Sequence, residues 1–81
     1  MDVVIYPNPA REYFTVELLG NSADEEYTFK LMDSRARVLR ESKFTNSLVI
    51  ERGDLASGIY FIFVENGTKS IRQKILFVEK K

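Results

Sequence analysis

Residues 59–78 read IYFIFVENGTKSIRQKILFV, and this stretch decides the fold class because a turn signal separates two strand-like runs. The run from Ile59 to Val64 holds only aliphatic and aromatic residues and has the length of a strand. Asn66-Gly67 follows it, and both residues tolerate the positive φ that a type I′ hairpin turn requires. We therefore predict a hairpin that joins residues 59–64 to a last strand from Lys69 to Val78.

The first strand of this hairpin is apolar on both faces. Such a strand either lies centrally and is covered on both sides, or presents one face to a partner, and the sequence leaves both alternatives open. The inward face of the last strand is also open, because residues 75–78 show no alternation of polar and apolar side chains.

Toward the N-terminus, further short runs recur at regular intervals and are separated by turn residues. Helical periodicity is nearly absent, so the pattern is typical of a sandwich or barrel of about seven strands in one domain, residues 1–81. The five predicted strands are Val3–Tyr6, Tyr13–Leu19, Tyr27–Met32, Arg37 to about Phe44, and Ser47–Glu51.

The composition excludes several classes of function. Basic and acidic residues number twelve each, so there is no net charge, whereas strong nucleic-acid binding usually shows a basic excess. Cys and His are both absent, which removes the usual nucleophiles, general bases and zinc ligands. We therefore expect a protein that is not an enzyme, uses no cofactor or metal, and binds no nucleic acid.

Membrane insertion is not expected either, because the longest apolar run falls far short of the ~20 residues of a spanning helix. The chain start lacks the pattern of a secretory signal, and we interpret the chain as a fragment of a larger protein. The acidic run at residues 24–26 lacks the spaced oxygen ligands of a calcium loop, so we interpret it as a solvated turn.

Four elements, in this order, resemble a known family, the C-terminal sorting domain (type A) of the type IX, or Por, secretion system of Bacteroidota. They are Val4 to Ala10 (VIYPNPA), Phe29 to Asp33 (FKLMD) leading into a turn, Leu55 to Tyr60 (LASGIY), and Lys74 to Val78 (KILFV) with a basic end at Lys80-Lys81. The resemblance covers essentially the whole chain.

This resemblance implies an immunoglobulin-like β-sandwich of about seven antiparallel strands. It also implies a sorting signal that directs an attached N-terminal passenger through the outer-membrane type IX translocon to the cell surface or medium. In the family, a sortase-like peptidase removes the domain during surface attachment. The expected partners are therefore the translocon, the peptidase and the passenger.

The candidate recognition residues are those of the four elements. Most have a structural interpretation as well: the two prolines and Asn8 shape a strand exit, Gly58 supplies an unusual backbone angle, and Tyr60 is a buried ring with a bonded hydroxyl. Only the terminal lysine pair is interpreted mainly as a handle for a receptor. The candidate residues are Tyr6, Pro7, Asn8, Pro9, Asp33, Leu55, Gly58, Tyr60, Lys74, Lys80 and Lys81.

One position departs from the family pattern. Members commonly have Gly in the turn after the Asp, whereas this chain has Ala36. Since Gly permits positive φ without steric cost, Ala36 indicates either a different turn type or a mildly strained one.

The alternative function is a non-catalytic adhesion or carbohydrate-binding sandwich, for which Tyr13, Tyr27 and Phe63 are the candidate exposed aromatics. Arg52-Gly53-Asp54 spells an integrin-type tripeptide and Asn66-Gly67-Thr68 a glycosylation sequon, and we interpret both as turns. Exposed sheet edges would also permit a homodimer by strand pairing.

Overall fold

Seven β-strands form two antiparallel sheets in the computed structural model, which describes residues 2–20 and 25–79. The described residues contain no helix, and hence none that could cross a membrane. The strands are β1 (Asp2–Tyr6), β2 (Tyr13–Leu19), β3 (Tyr27–Met32), β4 (Val38–Phe44), β5 (Ser47–Glu51), β6 (Gly58–Glu65) and β7 (Ser70–Phe77).

The three-stranded sheet has the order β1-β2-β5, and the four-stranded sheet has the order β4-β3-β6-β7. β6 and β7 are joined as the predicted hairpin, while β3 brings β4 and β6 together although they are distant in sequence. The predicted antiparallel β-sandwich and its seven strands are therefore confirmed.

The core lies between the two sheets and is built from alternate residues of each strand. The ring of Phe14, from the three-stranded sheet, lies 6.2 Å from Phe29 and 5.8 Å from Phe77 in the opposite sheet. All three rings are fully buried. Side chains at alternate positions point to opposite faces of a strand, so burying this set leaves their neighbours on the outer faces.

β6 is covered on one side only by the described residues. Tyr60, Ile62 and Val64 face the core, whereas Ile59 is 52% exposed and Phe61 and Phe63 are half-buried on the outer side. Coverage of β6 on both sides by its own fold is therefore wrong for the described residues, and the alternative of a face presented to a partner stays a prediction. The inward face of the last strand is also established, since Ile75 and Phe77 point inward and are fully buried.

The predicted type I′ turn is wrong in its geometry. Among the described residues, Gly67 has positive φ but Asn66 does not, and four residues rather than two connect the strands. The Asn66 side-chain oxygen accepts hydrogen bonds from the backbone N–H groups of Thr68 and Lys69 at 3.0 and 2.8 Å. This side-chain bonding stabilises a longer loop, an option that Asn offers in addition to positive φ.

Candidate functional site

Four chain segments meet at one end of the sandwich, which we call the Arg52 end: residues 7–12, 33–37, 52–57 and 78–79. The antiparallel registers bring them together, because Tyr13 pairs with Glu51 in one sheet while Gly58 pairs with Phe77 and Met32 with Phe61 in the other. All four family-like elements contribute to this end. The start of β1, at Asp2, lies at the opposite end beside Leu19.

Arg52 joins three of these segments. Its side chain is 3% exposed and donates to the carbonyl oxygens of Leu55 at 2.8 Å and Arg11 at 2.7 Å. It donates further to the carbonyl oxygen of Val78 and to Ser57 Oγ. These four bonds satisfy most of the guanidinium donors without a carboxylate partner.

The Arg52 guanidinium also lies 5.0 Å from the centroid of the Phe77 ring. A cation over an aromatic face is attracted by the ring quadrupole, so this contact adds to the hydrogen bonds. Residues 52–57 connect β5 to β6, and within this connection Arg52 is buried rather than solvated. The integrin-type tripeptide lacks an accessible arginine for the same reason.

Residues 8–10 bind the free edge of β7. The Asn8 side chain accepts from the N–H of Leu76 and donates to the carbonyl of Lys74, at 3.3 and 3.2 Å. Ala10 then donates its N–H to Leu76 and accepts from the N–H of Val78, at 2.8 and 2.9 Å. The chain thus leaves the three-stranded sheet after Tyr6 and pairs in parallel with the other sheet, covering an edge that would otherwise be unpaired.

The prolines flank this contact from outside. Pro7 and Pro9 are exposed and, with Arg11, Glu12 and Tyr13, line a shallow groove of about 340 Å³. Asn8 and Ala10 point toward the protein while the two prolines point away from it. The segment therefore has a structural side and an accessible side.

Tyr60 and Gly58 have the structural roles predicted for them. Tyr60 is 8% exposed, donates its hydroxyl to the carbonyl of Ala56 at 2.7 Å, and packs edge-on against Phe77 at 5.4 Å. Gly58 has φ of 144°, a value that side-chain-bearing residues rarely adopt. Leu55 packs half-buried against the core.

Asp33 organises the β3–β4 turn. Its Oδ1 accepts from the backbone N–H groups of Arg35 and Arg37 at 2.9 and 3.0 Å, and its Oδ2 accepts from Arg37 Nε at 2.8 Å. The hydrogen bond from the Arg37 side chain, aided by these N–H groups, holds the pKa of Asp33 below its ordinary value of 3.8.

Ala36 has φ of 66° in this turn. It is the one non-glycine residue with positive φ among the described residues, and the left-handed conformation carries a steric cost for a residue with a Cβ. Of the two alternatives left open by the sequence, the mildly strained turn is the one observed.

Tyr6 ends β1 with its ring on the outer face. Its hydroxyl donates to Glu17 Oε1 at 3.0 Å, and this bond raises the pKa of Tyr6 above its ordinary value of 10.0. Lys74 is exposed on β7, and its carbonyl is bonded by the side chain of Asn8. Lys80 and Lys81 lie outside the described residues, but the chain leading to them is held at the Arg52 end, where Arg11 bonds the carbonyl of Glu79.

The candidate aromatics of a sugar-binding surface do not come together. Tyr27 is fully buried, so its assignment as an exposed aromatic is wrong. Tyr13 lies on the outer side of the three-stranded sheet and Phe63 on the outer side of the other sheet. Within the described ranges no group of three acidic residues is arranged to hold a metal ion.

Arg52 and Ala10 are the site residues that sequence reasoning missed. A signal for Arg52 exists, because Leu48, Ile50 and Arg52 continue the period of two that places side chains on the inner face of β5. Arginine is rarely buried unless its donors find partners, and the carbonyls of residues 11 and 78 are distant in sequence. The sequence pattern therefore indicates that Arg52 faces inward, but it does not show which carbonyl groups its side chain bonds.

The chain is a small antiparallel β-sandwich, and all four family-like elements contribute residues to one end of it, the Arg52 end. A family model described as the secretion system C-terminal sorting domain matches residues 4–79 of the 81. The chain therefore belongs to this family, that of the type IX secretion sorting domain. No curated protein sequence matches the chain significantly.

Membership in this family establishes the general function of the domain. Domains of this family are sorting signals rather than catalytic domains, and they interact with the secretion machinery on behalf of an attached passenger protein. They mark proteins for export across the outer membrane, to the cell surface or the extracellular space.

Proposed function

We propose that this domain directs an attached passenger through the outer-membrane type IX translocon, and that the translocon binds the Arg52 end. The observation that carries the proposal is the family match over residues 4–79. The domain is a ligand in this process and performs no catalysis of its own.

The geometry supports recognition at this end in two ways. The exposed prolines, the groove and the anchored residues 78–79 lie together there, so a receptor can contact the motif and the chain end at once. β1 begins at the opposite end, so a passenger joined before Asp2 would leave the Arg52 end accessible.

The motif residues divide into two groups. Asn8, Asp33, Leu55, Gly58 and Tyr60 act through the fold, since their contacts are made within the protein. The residues proposed to contact the receptor are Tyr13, which lines the groove with the prolines, and the motif residues Tyr6, Pro7, Pro9, Lys74, Lys80 and Lys81.

Removal of the domain is the second step of the proposed function. A sortase-like peptidase would cut the chain upstream of β1 once the passenger has crossed the outer membrane. The cut falls outside the sandwich, so it requires no unfolding of the strands that carry the signal.

The primary test is a fusion of this segment to the C-terminus of a reporter directed to the periplasm of a type IX host. We expect the reporter to reach the cell surface or medium, measured by protease accessibility of intact cells. Retention in the periplasm, with the domain shown by thermal melting to be folded, would contradict the proposal.

A matched pair of variants tests the place of recognition. Tyr13 and Leu19 are both exposed on the outer side of β2, at its opposite ends. Losing an aromatic contact at a binding site typically weakens binding about tenfold or more, so Tyr13→Ser should reduce delivery and Leu19→Ser should not. Equal effects of the two changes would exclude the Arg52 end as the contact.

A further inference from the structure

The two sheets carry charges of opposite sign. β1, β2 and β5 contain three carboxylates and no Lys or Arg, whereas the strands of the four-stranded sheet contain five cations and two carboxylates. The charges on the strands are thus separated across the sandwich, although the whole chain has no net charge.

The outer face of the three-stranded sheet, here the acidic face, is also apolar. Tyr6, Thr15 and Val49 form a row across its three strands, and Val49 is 54% exposed. Glu17 and Glu51 lie in the neighbouring rows, opposite Val4 and Tyr13 respectively.

The outer face of the four-stranded sheet, here the basic face, has a central apolar stripe formed by Ile59, Phe61 and Phe63 of β6. Cations lie beside the stripe: Phe61 pairs with Lys74, and Phe63 lies between Lys30 and Arg72. The Arg72 guanidinium is 6.0 Å from the Phe63 ring centroid.

Every large hydrophobic side chain that is exposed among the described residues lies on one of these two faces. An exposed apolar patch rimmed by polar residues is typical of a protein–protein interaction site, and here two such patches lie on faces of opposite charge. These residues are Val4, Tyr6, Tyr13, Leu19 and Val49 on the acidic face, and Val38, Ile59 and Leu76 on the basic face.

We propose that the acidic face of one copy of this chain binds the basic face of a second copy. Glu17 and Glu51 approach the cations beside the β6 stripe, while Tyr6 and Val49 cover Phe61 and Phe63. Charge complementarity of this kind determines which faces meet, because two acidic faces or two basic faces would repel one another.

The geometry also sets the strength and form of the association. The acidic face spans three strands about 4.8 Å apart and at most seven residues at about 3.4 Å each, so the contact is small and the binding weak. The two contacting surfaces differ, so the contact is heterologous and each added copy presents a free face to the next. The assembly therefore grows with concentration and does not stop at a dimer.

The test is sedimentation equilibrium of the whole chain from about 10 µM to about 1 mM. At about 20 mM salt, where the Debye length is about 20 Å, we expect the weight-average mass to rise past twice the 9.4 kDa chain mass. At about 0.5 M salt, where that length is about 4 Å, the rise should largely disappear.

Charge-reversal variants provide the decisive test of whether the two faces bind each other. Lys74→Glu makes the basic face less basic, and Glu51→Lys makes the acidic face less acidic, so each variant alone should stay closer to the monomer mass. An equimolar mixture should associate again, because the unmodified acidic face of the Lys74→Glu chain then meets the unmodified basic face of the Glu51→Lys chain. Lys69→Glu and Glu26→Lys are the matched controls, since they change net charge equally from exposed loop positions and should associate as the unmodified chain does.

Three outcomes would overturn the proposal. A plateau at twice the chain mass that is insensitive to salt would indicate a dimer by strand pairing. Equal effects of the face and control variants would indicate net charge alone. A monomer at every concentration and salt would show that the faces do not bind each other. Thermal melts of each variant establish that it is folded.

Discussion

Arg52 shows how one side chain can connect segments that are far apart in sequence. It bonds carbonyl groups before β2, within the β5–β6 connection and after β7. Its charge has no carboxylate partner among these bonds, so the stabilisation comes from hydrogen bonds to peptide dipoles and from the Phe77 ring. These hydrogen bonds tie the three segments together at the Arg52 end.

Arg52→Met should lower the free energy of unfolding by about 3 kcal/mol or more, since buried carbonyls lose their donors at about 1–3 kcal/mol each. Urea denaturation of the isolated domain measures this. Arg35→Met, at an exposed turn position, is the control and should change stability by less than about 0.5 kcal/mol. Equal stability of the two variants would mean that the Arg52 side chain does not stabilise the fold by connecting these three segments.

Ala36 presents the opposite case, a residue that the fold tolerates at a cost. Ala36→Gly should stabilise the domain by about 1 kcal/mol, because Gly removes the steric cost of positive φ while adding some freedom to the unfolded chain. Ala56→Gly, in an exposed segment without positive φ, should bring no gain. A loss of stability in Ala36→Gly would contradict the strain assigned to this turn.

Asp33 makes the β3–β4 turn sensitive to acid. Its pKa is lower in the folded than in the unfolded chain, so its contribution to stability is present above the ordinary value of 3.8 and is lost as pH falls through the folded pKa. An NMR titration of the Asp33 carboxyl should give a midpoint below 3.8. A midpoint at or above that value would mean that the bonds to Arg37 and Arg35 are absent in solution.

At the scale of elements, β3 depends on the alternation of its side chains. Phe29 is fully buried against Phe14, so Phe29→Ala should cost about 3 to 5 kcal/mol, the range for deleting a buried aromatic ring. The neighbouring Lys30 faces outward, and Lys30→Ala should cost less than about 0.5 kcal/mol. If denaturant melts show that Phe29→Ala lowers the free energy of unfolding by less than about 1 kcal/mol, then the inward orientation assigned to Phe29 in β3 is wrong.

The segment that leads into β2 shows how one sheet edge of this sandwich is covered. β7 lies at the edge of its sheet, yet residues 8–10 satisfy its backbone groups from 74 to 78. The Pro-Asn-Pro segment thus does more than end β1: it takes the chain to the edge of the other sheet before β2 returns to the first sheet. The accessible prolines are a consequence, because the polar and small side chains of the segment face the protein.

At the scale of the whole molecule, deleting Lys80 and Lys81 should separate recognition from folding. The thermal midpoint of the isolated domain should hardly change, since terminal residues contribute few buried contacts and the free energy should shift by well under about 1 kcal/mol. Surface delivery of a fused reporter should fall strongly, because a receptor that reads the chain end loses both charges and finds the carboxylate displaced.

A second variant distinguishes charge from length. Lys80→Gln with Lys81→Gln keeps the carboxylate in place and removes only the positive charges, so a defect shared with the deletion identifies the charges as the signal. Normal delivery by the deletion would exclude the terminal lysines and leave the folded surface of the Arg52 end as the recognised feature.

Sequence alone determined the strands, because apolar alternation and turn residues are local properties: all seven predicted strands are present, with ends displaced by at most one residue. It also determined the absence of Cys and His and the four family-like elements. The buried place of Arg52, the pairing of Ala10 with Phe77 and the acidic and basic faces were decided only by the tertiary structure. Each depends on which distant strands become neighbours, and a chain with zero net charge does not reveal that its charges lie on opposite sheets.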